Sequence, residues 1–478
     1  MSENIVKNRV IHDEELKKQQ EAIQVIRSMN DEYERVTGGK KRYFILTTGC
    51  QMNAHDSEKL SFMLTDMGYE HTDIEQDADF ILYNTCCVRE NAEDKIYGRL
   101  GYLKHYKEQK KDIKIAICGC MMQQDTVIEK IKKSYKNVDI VFGTFNVYKL
   151  PELMLTNIES GDTIFDIWQE HGEIMEDFHS IRKIPFKASV NIMYGCNNFC
   201  SYCIVHYVRG RERSREPDEI ISEIRALAKV GVKEIMLLGQ NVNSYGKNLE
   251  TPVSFAELLR QINGIDGIER VRFMTSHPKD LSEELINAIR DCDKICNYLH
   301  LPVQAGSNEM LKKMNRHYTK EQYLRLVEKI KEEIPDIMIS TDIIVGFPGE
   351  TEEDFVQTLE VVDQVGYSTA FTFLYSKRTG TPAAAMENQI SEEVAKERFN
   401  RLLEHVNAGV EKISAGLVGT VEYVLAEEVN KQNERMLSGR TERNSLVHFE
   451  GGKELIGKVI PVKIKESKIF YLIGERMI

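Results

Sequence analysis

The chain of 478 residues is 42% hydrophobic, which is enough to bury a core in each of about three domains. No apolar run is long enough to cross a bilayer, and the segment from Met1 to Asn4 lacks the charged-then-apolar layout of a secretory signal, so we expect neither a membrane-spanning nor a secreted protein. In the reducing cytoplasm that this leaves, ten cysteines indicate metal or redox chemistry instead of disulfides.

Residues 1–40 form a mixed-charge extension with apolar residues at Ile23, Val25, Ile26 and Met29. This pattern predicts a surface helix or a loosely held arm that ends near Gly38. No chemistry is indicated in this segment.

In residues 41–158, short apolar runs alternate with amphipathic segments, which predicts a parallel α/β sheet domain. The predicted strands are 43–48, 80–85, 114–118 and 139–142. Functional groups of such sheets gather at the carboxyl ends of the strands. Cysteines follow three of these strands, at Cys50, at Cys86 with its neighbour Cys87, and at Cys120 with Cys118 just before it.

Three thiols converging on one edge of a sheet could form a metal-cluster site. The alternative is that they are buried core cysteines, because free cysteine is among the most buried residue types. The spacing does not decide between Cys86 and Cys87, or between Cys118 and Cys120.

In residues 182–412 the alternation resumes with six predicted strands, which indicates an open or partial (βα)6 barrel whose functional rim is the carboxyl end of the strands. The strands are 188–193, 234–238, 271–274, 298–301, 338–345 and 370–374.

The loop after the first of these strands carries Cys196, Cys200 and Cys203. Three thiolates on one short loop can each bind a corner iron of a cubane cluster, and the fourth iron is then open to a substrate. A structural zinc site with His206 as the fourth ligand is one alternative, and a disulfide with a spare thiol is another. The CxxxCxxC spacing favours the catalytic cluster.

Polar strand-end segments share this rim, and their amides and bare glycine backbone could hold a small polar cofactor. The candidate contacts are Gln240, Asn241, Asn243 and Gly346. Thr351 and Asp354 form a predicted capping box, so a strand-to-helix turn is the safer role for Gly346 and Gly349. Plain packing is favoured for Cys292 and Cys296.

Residues 415–478 contain five short strands with period-two alternation, predicted over 418–424, 434–437, 446–449, 459–464 and 470–473. This pattern is typical of a small all-β barrel that binds nucleic acid.

The formal net charge of −12 would disfavour nucleic-acid binding if the charges were evenly spread, but they are clustered. Alternation along an extended segment would place four arginines on one side, where phosphates could bind; these are Arg209, Arg211, Arg213 and Arg215. The alternative is a solvated strand whose arginines pair with Glu212 and Glu216. Further basic residues crowd the carboxyl-terminal segment: Arg435, Arg440, Arg443, Lys453, Lys458, Lys463, Lys465 and Lys468.

The CxxxCxxC loop resembles the signature of the radical S-adenosylmethionine superfamily. Together with further motifs the chain resembles, over about Lys41 to Glu475, the methylthiotransferase family, with a TRAM-like terminal barrel. The motifs are Thr48 to Asn53, Asn84 to Cys86, Cys118 to Met121, Tyr194 to Cys200, Arg209 to Arg215 and Gly239 to Gly246. Their form favours members that act on isopentenyladenosine in tRNA over relatives that act on threonylcarbamoyl-adenosine or on a ribosomal protein.

This resemblance implies two [4Fe-4S] clusters. Cys196, Cys200 and Cys203 match the ligands of the cluster that binds S-adenosylmethionine. Cys50, Cys86 and Cys120 match the ligands of the auxiliary cluster, which carries the sulfur. Cys87 and Cys118 are then neighbours of ligands and not ligands themselves. The sequence departs from the family pattern at His206, Ala305, Lys377 and Thr379, none of which is a ligand.

The implied partners are a tRNA anticodon loop bearing isopentenyladenosine, a flavodoxin- or ferredoxin-type electron donor and a sulfur donor, with no membrane. A monomer is among the states the sequence allows. The rival functions are a sister methylthiotransferase, a non-catalytic iron–sulfur electron carrier and an RNA-binding protein with structural zinc. The arginine run and the terminal barrel disfavour an electron carrier.

Overall fold

The computed structural model describes residues 2–87, 90–168 and 180–477. These residues form two compact units: Met1–Lys183 with Ile204–Gly210, and Ile184–Cys203 with Arg211–Ile478. Within the described residues, no helix has the length and apolar content needed to span a bilayer.

The first unit is a six-stranded parallel sheet with helices around it. Its strands are β1 (Arg42–Thr47), β2 (Glu70–His71), β3 (Phe80–Thr85), β4 (Lys114–Gly119), β5 (Ile140–Phe142) and β6 (Ile164–Asp166). Its helices are α1 (Ser2–Thr37), α2 (Gln51–Asp66), α3 (Glu90–Gln109), α4 (Asp125–Ser134), α5 (Leu150–Ser160) and α6 (Val205–Val208). The strand order is β2-β1-β3-β4-β5-β6, and all neighbours are parallel.

The predicted strands of this unit are present, and the sheet has two more. The central strand β3 is buried on both faces, which explains its continuous apolar run. The added strands β2 and β6 have two and three residues, too few for a periodic pattern, and they lie at the two edges of the sheet.

The amino-terminal extension is helical over Ser2–Thr37. Ile23 and Ile26 are buried in the core of the first unit, whereas Val25 and Met29 are about two-fifths exposed, at 41% and 42%. Asn30 donates its side-chain hydrogen to the Met67 carbonyl at 2.8 Å. The helix is therefore docked along one face and is no loose arm.

The second unit begins with a ring of parallel strands and helices. The strands are β7 (Lys187–Asn191), β8 (Met193–Tyr194), β9 (Arg213–Ser214), β10 (Glu234–Leu238), β11 (Arg270–Phe273), β12 (Tyr298–His300), β13 (Met338–Val345) and β14 (Thr369–Leu374). The helices are α7 (Pro217–Lys229), α8 (Phe255–Asn263), α9 (Glu283–Asp291), α10 (Asn308–Lys313), α11 (Lys320–Glu333), α12 (Glu352–Val365) and α13 (Glu392–Ala415).

Six of these strands form the predicted partial barrel. Two parallel sheets, β7-β10-β11 and β12-β13-β14, are connected by a parallel bridge between Val271 and Ile295. The remaining two strands, β8 and β9, pair as a small antiparallel hairpin beside the cysteine loop.

A closed five-stranded barrel completes the second unit, and it confirms the predicted all-β fold. Its strands are β15 (Val421–Val429), β16 (Met436–Thr441), β17 (Leu446–Glu450), β18 (Val459–Ser467) and β19 (Leu472–Arg476), in the order β15-β16-β17-β19-β18. Their inward side chains, including Val424, Phe449 and Val462, are fully buried.

The closed barrel packs on the amino-terminal ends of the parallel strands. Tyr298 and Met338, each the first residue of its strand, join the apolar core of the closed barrel. Arg270 donates to the carbonyls of Arg440 and Tyr423 at 2.9 and 2.7 Å. This leaves the carboxyl-terminal rim of the parallel strands on the opposite side from the closed barrel.

Candidate cluster sites at the strand ends

Four thiols gather at the carboxyl edge of the first unit's sheet. Cys50 precedes α2 directly, Cys86 and Cys87 follow β3, and Cys120 follows β4. None of the ten cysteines, all within described residues, forms a disulfide. Cys50 is exposed to solvent, whereas the other three are buried. The parallel order β1-β3-β4 is what brings residues far apart in sequence to one edge.

Asn53, on the first turn of α2, ties the loops of this edge together. Its Nδ2 donates to the carbonyls of Thr48 and Thr85 at 2.9 and 3.0 Å, one at each strand end. Its Oδ1 lies 3.9 Å from the Cys50 sulfur and 3.7 Å from the Cys120 sulfur. The side chain thus fixes two loops and faces two thiols.

Two glycines allow these loops to approach closely. A Cβ on Gly49, whose φ is +105°, would lie 2.6 Å from the Cys86 sulfur. A Cβ on Gly119, whose φ is +96°, would lie 2.4 Å from the Thr85 carbonyl oxygen. Any other residue would be strained and would push the loops apart.

The structure separates Cys118 from the other thiols. Cys118 lies in the apolar core with Ala116 and Phe142, and burial raises its pKa. Cys120 instead contacts Cys87, and the hydrogen bond from that thiol, with the charge of Arg209, lowers the pKa of Cys120. The end of β4 accounts for this: Cys118 lies within the strand, on the face that it shares with Ala116, whereas Cys120 begins a 3₁₀ turn after Gly119, whose φ of +96° redirects the backbone.

Arg209 joins this group from the segment after α6. Only 4% of Arg209 is exposed, and its Nε donates to the Cys120 sulfur at 3.2 Å. Its Nη2 donates to Asn53 Oδ1 at 2.6 Å and to Asp56 Oδ2 at 2.9 Å. The arginine is therefore occupied within the protein.

In the second unit, Cys196, Cys200 and Cys203 lie on the loop after β8. This loop is held by the last residue of α10 and the segment that follows it. Asn315 Nδ2 donates to the Phe199 carbonyl at 2.8 Å, and the Ser201 hydroxyl donates to the Lys313 carbonyl at 2.7 Å. The loop backbone needs left-handed φ at Gly195 and Phe199, of 74° and 48°. These contacts fix the loop without using its thiols.

A buried arginine, Arg316, contacts a thiol of this loop. It is 4% exposed, and its Nη1 donates to the Cys200 sulfur at 3.3 Å while its Nη2 donates to the Pro302 carbonyl at 3.0 Å. Burial raises the pKa of Cys196 to about 11, so its thiol is protonated until a metal displaces the proton. Arg316 lies 116 residues after Cys200, so no sequence spacing could have identified it.

Neither thiol group is arranged for a single ion. Within residues 2–87, 90–168 and 180–477, no three Cys, His, Asp or Glu side chains converge tightly enough to hold one metal ion. A cubane has different requirements, because each thiolate binds a separate iron. The donor chemistry, all sulfur with a neighbouring arginine, fits an iron–sulfur cluster.

Polar side chains line the rim next to this loop. Asn241 Nδ2 donates to Asp280 at 2.8 Å, and its Oδ1 accepts from the backbone N–H of His277 at 3.2 Å. Three buried polar atoms in this region have no partner within the described residues: Asn243 Oδ1, Ser276 Oγ and His277 Nε2. Buried polar atoms are nearly always paired, so these three are free to bond a polar ligand or water.

Ser276 and His277 were not among the sequence-predicted contacts, although their strand end was placed on the rim. His277 Nδ1 accepts from the Lys279 backbone N–H at 3.3 Å, so its unpaired Nε2 carries the hydrogen. Burial, ahead of the charges of Arg316 and Lys279, lowers the pKa of His277 to about 2. The ring is therefore a neutral donor.

Gly346, a predicted cofactor contact, has a packing role. A Cβ on Gly346 would lie 2.8 Å from the Ala395 methyl group of α13, and its backbone N–H donates to Glu350 at 2.9 Å. The capping box of Thr351 and Asp354 is present at the start of α12. The turn interpretation accounts for this glycine.

The prediction that four arginines share one open side is wrong. Arg209 and Arg215 are buried, and Arg215 donates to the Asn191 carbonyl and to Glu223, both at 2.7 Å. Arg211 is exposed and stacks on Phe199, and Arg213 lies over Tyr194. The alternation breaks at its start, because Arg209 caps the end of α6 in a non-extended conformation and is followed by the left-handed Gly210, with φ of 73°.

Three family models match the chain, each in a different region. The radical SAM superfamily matches residues 190–362, the uncharacterized protein family UPF0004 matches residues 42–143, and the TRAM domain matches residues 416–476. The fold and the cysteine loop thus define a radical S-adenosylmethionine protein, a class that binds S-adenosylmethionine and a [4Fe-4S] cluster.

Relatives identify the branch of this class. A protein of Clostridioides difficile (strain 630) is 58% identical over 96% of this chain and 97% of its own length. A protein of Acetivibrio thermocellus is 57% identical over 98% of each. Both are named tRNA-2-methylthio-N(6)-dimethylallyladenosine synthase, and the chain belongs to that family.

A solved structure shares the fold. The radical S-adenosylmethionine methyltransferase TsrM of Kitasatospora setae matches with a TM-score of 0.51 at 14% identity, over 80% of this chain and 78% of that one. At this identity the likeness concerns the fold alone.

Proposed function

We propose that the protein methylthiolates C2 of N6-(dimethylallyl)adenosine in tRNA, at the adenosine 3′ of the anticodon. The observation that carries the proposal is the near full-length identity of 57–58% to synthases named for this product. The two separate thiol groups support it, because sulfur insertion by this family's chemistry needs two sites.

Cys196, Cys200 and Cys203 are the proposed ligands of the [4Fe-4S] cluster that binds S-adenosylmethionine. When bound, this group supplies a 5′-deoxyadenosyl radical, which can act on a C–H bond beyond the reach of side-chain acids and bases. Arg316 donates a hydrogen bond to the Cys200 sulfur and so helps to hold this side chain in place.

The rim residues are the proposed contacts of S-adenosylmethionine. Gln240, Asn241 and Asn243 were predicted from the sequence. We add Ser276 and His277, which lie on the same rim and have buried polar atoms without a partner in the described residues. The hydroxyl and the neutral imidazole N–H supply donors for the cofactor's polar groups, and Asn243 Oδ1 supplies an acceptor.

Cys50, Cys86 and Cys120 are the proposed ligands of an auxiliary [4Fe-4S] cluster that carries the sulfur. Cys87 lies beside Cys120 as a fourth thiol, so the choice of Cys86 over Cys87 rests on the resemblance. The place of Cys118 in the core supports Cys120 over Cys118 as the ligand.

Exposed basic residues of the closed barrel are the proposed tRNA contacts, together with Arg211 and Arg213. The exposed side chains are Arg435, Lys453, Lys458, Lys463, Lys465 and Lys468. The target base must leave its stack to be modified, which costs a few kcal/mol and is least unfavourable in an anticodon loop. We expect the reaction in the cytoplasm, with a flavodoxin- or ferredoxin-type electron donor and a separate sulfur donor.

The test combines metal content with product analysis on protein purified without oxygen. Wild type should contain about eight irons per chain and the Cys196/Cys200/Cys203→Ala variant about four. Nucleosides from tRNA that carries dimethylallyladenosine should gain the methylthio mass with wild type only, and tRNA lacking the dimethylallyl group should not react. Four irons falling to none would contradict the auxiliary cluster, and product on threonylcarbamoyl-adenosine would indicate the sister activity.

The ligand set is tested by a matched pair of neighbours. In the triple-alanine background, Cys86→Ala should abolish the remaining iron and Cys87→Ala should retain it. Cys120→Ala and Cys118→Ala form a second pair with the same expectation. The reverse result within either pair would exchange the ligand for its neighbour.

A further inference from the structure

Arg209 lies among the first unit's thiols, not on a phosphate-binding surface. We propose that Arg209 is a positioning residue of the auxiliary cluster, which holds the Cys120 sulfur and raises the reduction potential of the cluster. This role rests on the proposed function, because it requires a cluster held by Cys50, Cys86 and Cys120.

The geometry of the guanidinium carries the inference. One edge donates from Nε to the Cys120 sulfur at 3.2 Å, and Nη2 donates to Asn53 and Asp56 at 2.6 and 2.9 Å. A planar fork of five donors can make these contacts at once, whereas the single ammonium of lysine cannot. With 4% of the residue exposed, the group is not available to a phosphate.

Asn53 extends the effect of Arg209 to the other loops. Its Oδ1 accepts from Arg209, and this fixes the amide so that Nδ2 donates to the carbonyls of Thr48 and Thr85. Those carbonyls lie at the ends of the strands that precede Cys50 and Cys86. A single buried cation therefore orders the loops of all three proposed ligands.

The charge gives the arginine an electronic role. The potential of an iron–sulfur cluster is set by net charge, burial and hydrogen bonds to its sulfurs. Reduction adds an electron to the cluster. The permanent positive charge of Arg209, next to the Cys120 sulfur, stabilises the reduced cluster. Asp56, which is 7% exposed, offsets part of this charge. Removal of Arg209 and removal of the Asp56 charge should therefore shift the potential in opposite directions.

The experiment uses the full chain in the Cys196/Cys200/Cys203→Ala background, where the auxiliary cluster is the remaining cluster. Arg209→Gln and Asp56→Asn are compared by iron content, midpoint potential in an EPR-monitored titration, and affinity for tRNA. We expect about four irons per chain, a more negative potential for Arg209→Gln, a less negative potential for Asp56→Asn, and unchanged tRNA affinity.

Arg215→Gln is the matched control, because it removes another buried arginine of the same run whose contacts lie in the second unit. Its potential should equal that of the background protein.

Equal potentials in all variants, or shifts of the same sign for Arg209→Gln and Asp56→Asn, would overturn the proposal. A tenfold loss of tRNA affinity in Arg209→Gln at an unchanged potential would also overturn it, because that result would show that Arg209 binds a tRNA phosphate. If Arg209→Gln fails to load iron, the Asp56→Asn variant decides: a less negative potential supports the proposal, and an equal or more negative potential overturns it. A background protein without iron would overturn the auxiliary cluster itself, so iron content tells the two failures apart.

Discussion

Arg272 and Glu234 form an ion pair between adjacent strands β11 and β10, with Nε 3.1 Å from Oε2 and both side chains buried. The same guanidinium donates to the carbonyls of Glu442 and Thr441 in the closed barrel, at 2.8 and 2.6 Å. We expect Arg272→Met to lower the free energy of unfolding by about 3 kcal/mol, because a buried carboxylate and two carbonyls lose a donor. Urea unfolding measures this.

Lys233→Ala is the control for that variant. Lys233 pairs with Glu269 at 3.0 Å, but both side chains are partly exposed, at 33% and 43%. Such a pair contributes about 1 kcal/mol or less. If Arg272→Met were no more destabilising than Lys233→Ala, the closed barrel would not be held through this arginine.

Gly49→Ala should destroy the first thiol group without unfolding the unit. The new methyl would lie 2.6 Å from the Cys86 sulfur, and the φ of +105° is unfavourable for alanine. In the triple-alanine background we expect the auxiliary iron to be lost. Gly161→Ala has a similar left-handed φ of +72° but open space within 4 Å, so it should keep its iron and lose only about 1 kcal/mol of stability. Iron retained by Gly49→Ala would mean that the Cys86 loop can move.

The stability of the protein should fall as the pH drops below about 6.5, the ordinary pKa of histidine. Burial lowers the pKa of His277 to about 2 in the folded state. Below pH 6.5 this histidine therefore binds a proton in the unfolded chain but stays neutral in the folded chain. The linkage amounts to about 1 kcal/mol for each pH unit. Urea unfolding at pH 7, 6 and 5 should show this loss in wild type, and His277→Asn should reduce the slope. An identical slope in the variant would assign the pH dependence to other groups.

Lys463, exposed on β18, provides a local test of tRNA binding. Lys463→Gln should weaken binding of all tRNAs equally and reduce the salt dependence of the binding constant by about one unit of slope. Lys396→Gln on α13 removes another exposed lysine, one paired with Glu392, and should change neither quantity. A point variant is preferable to truncation after Ser414, since truncation would also remove the acceptors of Arg270 and Arg272. Equal effects of the two variants would point to overall charge, not to the barrel.

The sequence was most informative where a local rule acts at a strand end. Buried runs predicted the parallel strands of both units, and the rule that functional groups follow such strands pointed to the cysteines after three of them. The choice of Cys86 over Cys87 and of Cys120 over Cys118 came from the resemblance. The thiols do gather at one edge, and Cys118 does not join them because it lies within β4 and packs in the core, whereas Cys120 follows the turn at Gly119. Whether they bind a cluster is a matter for the iron measurements.

The sequence was least informative where a side chain acts far from its own neighbours. Arg209 and Arg316 reach cysteine sulfurs 89 and 116 residues away, and neither motif spacing nor periodicity encodes such contacts. The arginine alternation was misleading because it presumes an extended backbone, which α6 and Gly210 break. That Ser276 and His277 have buried polar atoms without a partner in the described residues became visible only in the folded structure.

The segment Ile204–Gly210 belongs to the first compact unit although the chain on both sides of it belongs to the second. The polypeptide therefore changes unit after Lys183, after Cys203 and again after Gly210. A gene fragment that ends at Lys183 would encode the first unit's sheet without Arg209. A single crossover after Lys183 would therefore leave Ile204–Gly210, seven residues of the first unit, with the other parent's second unit. Such interleaving favours the inheritance of both units together.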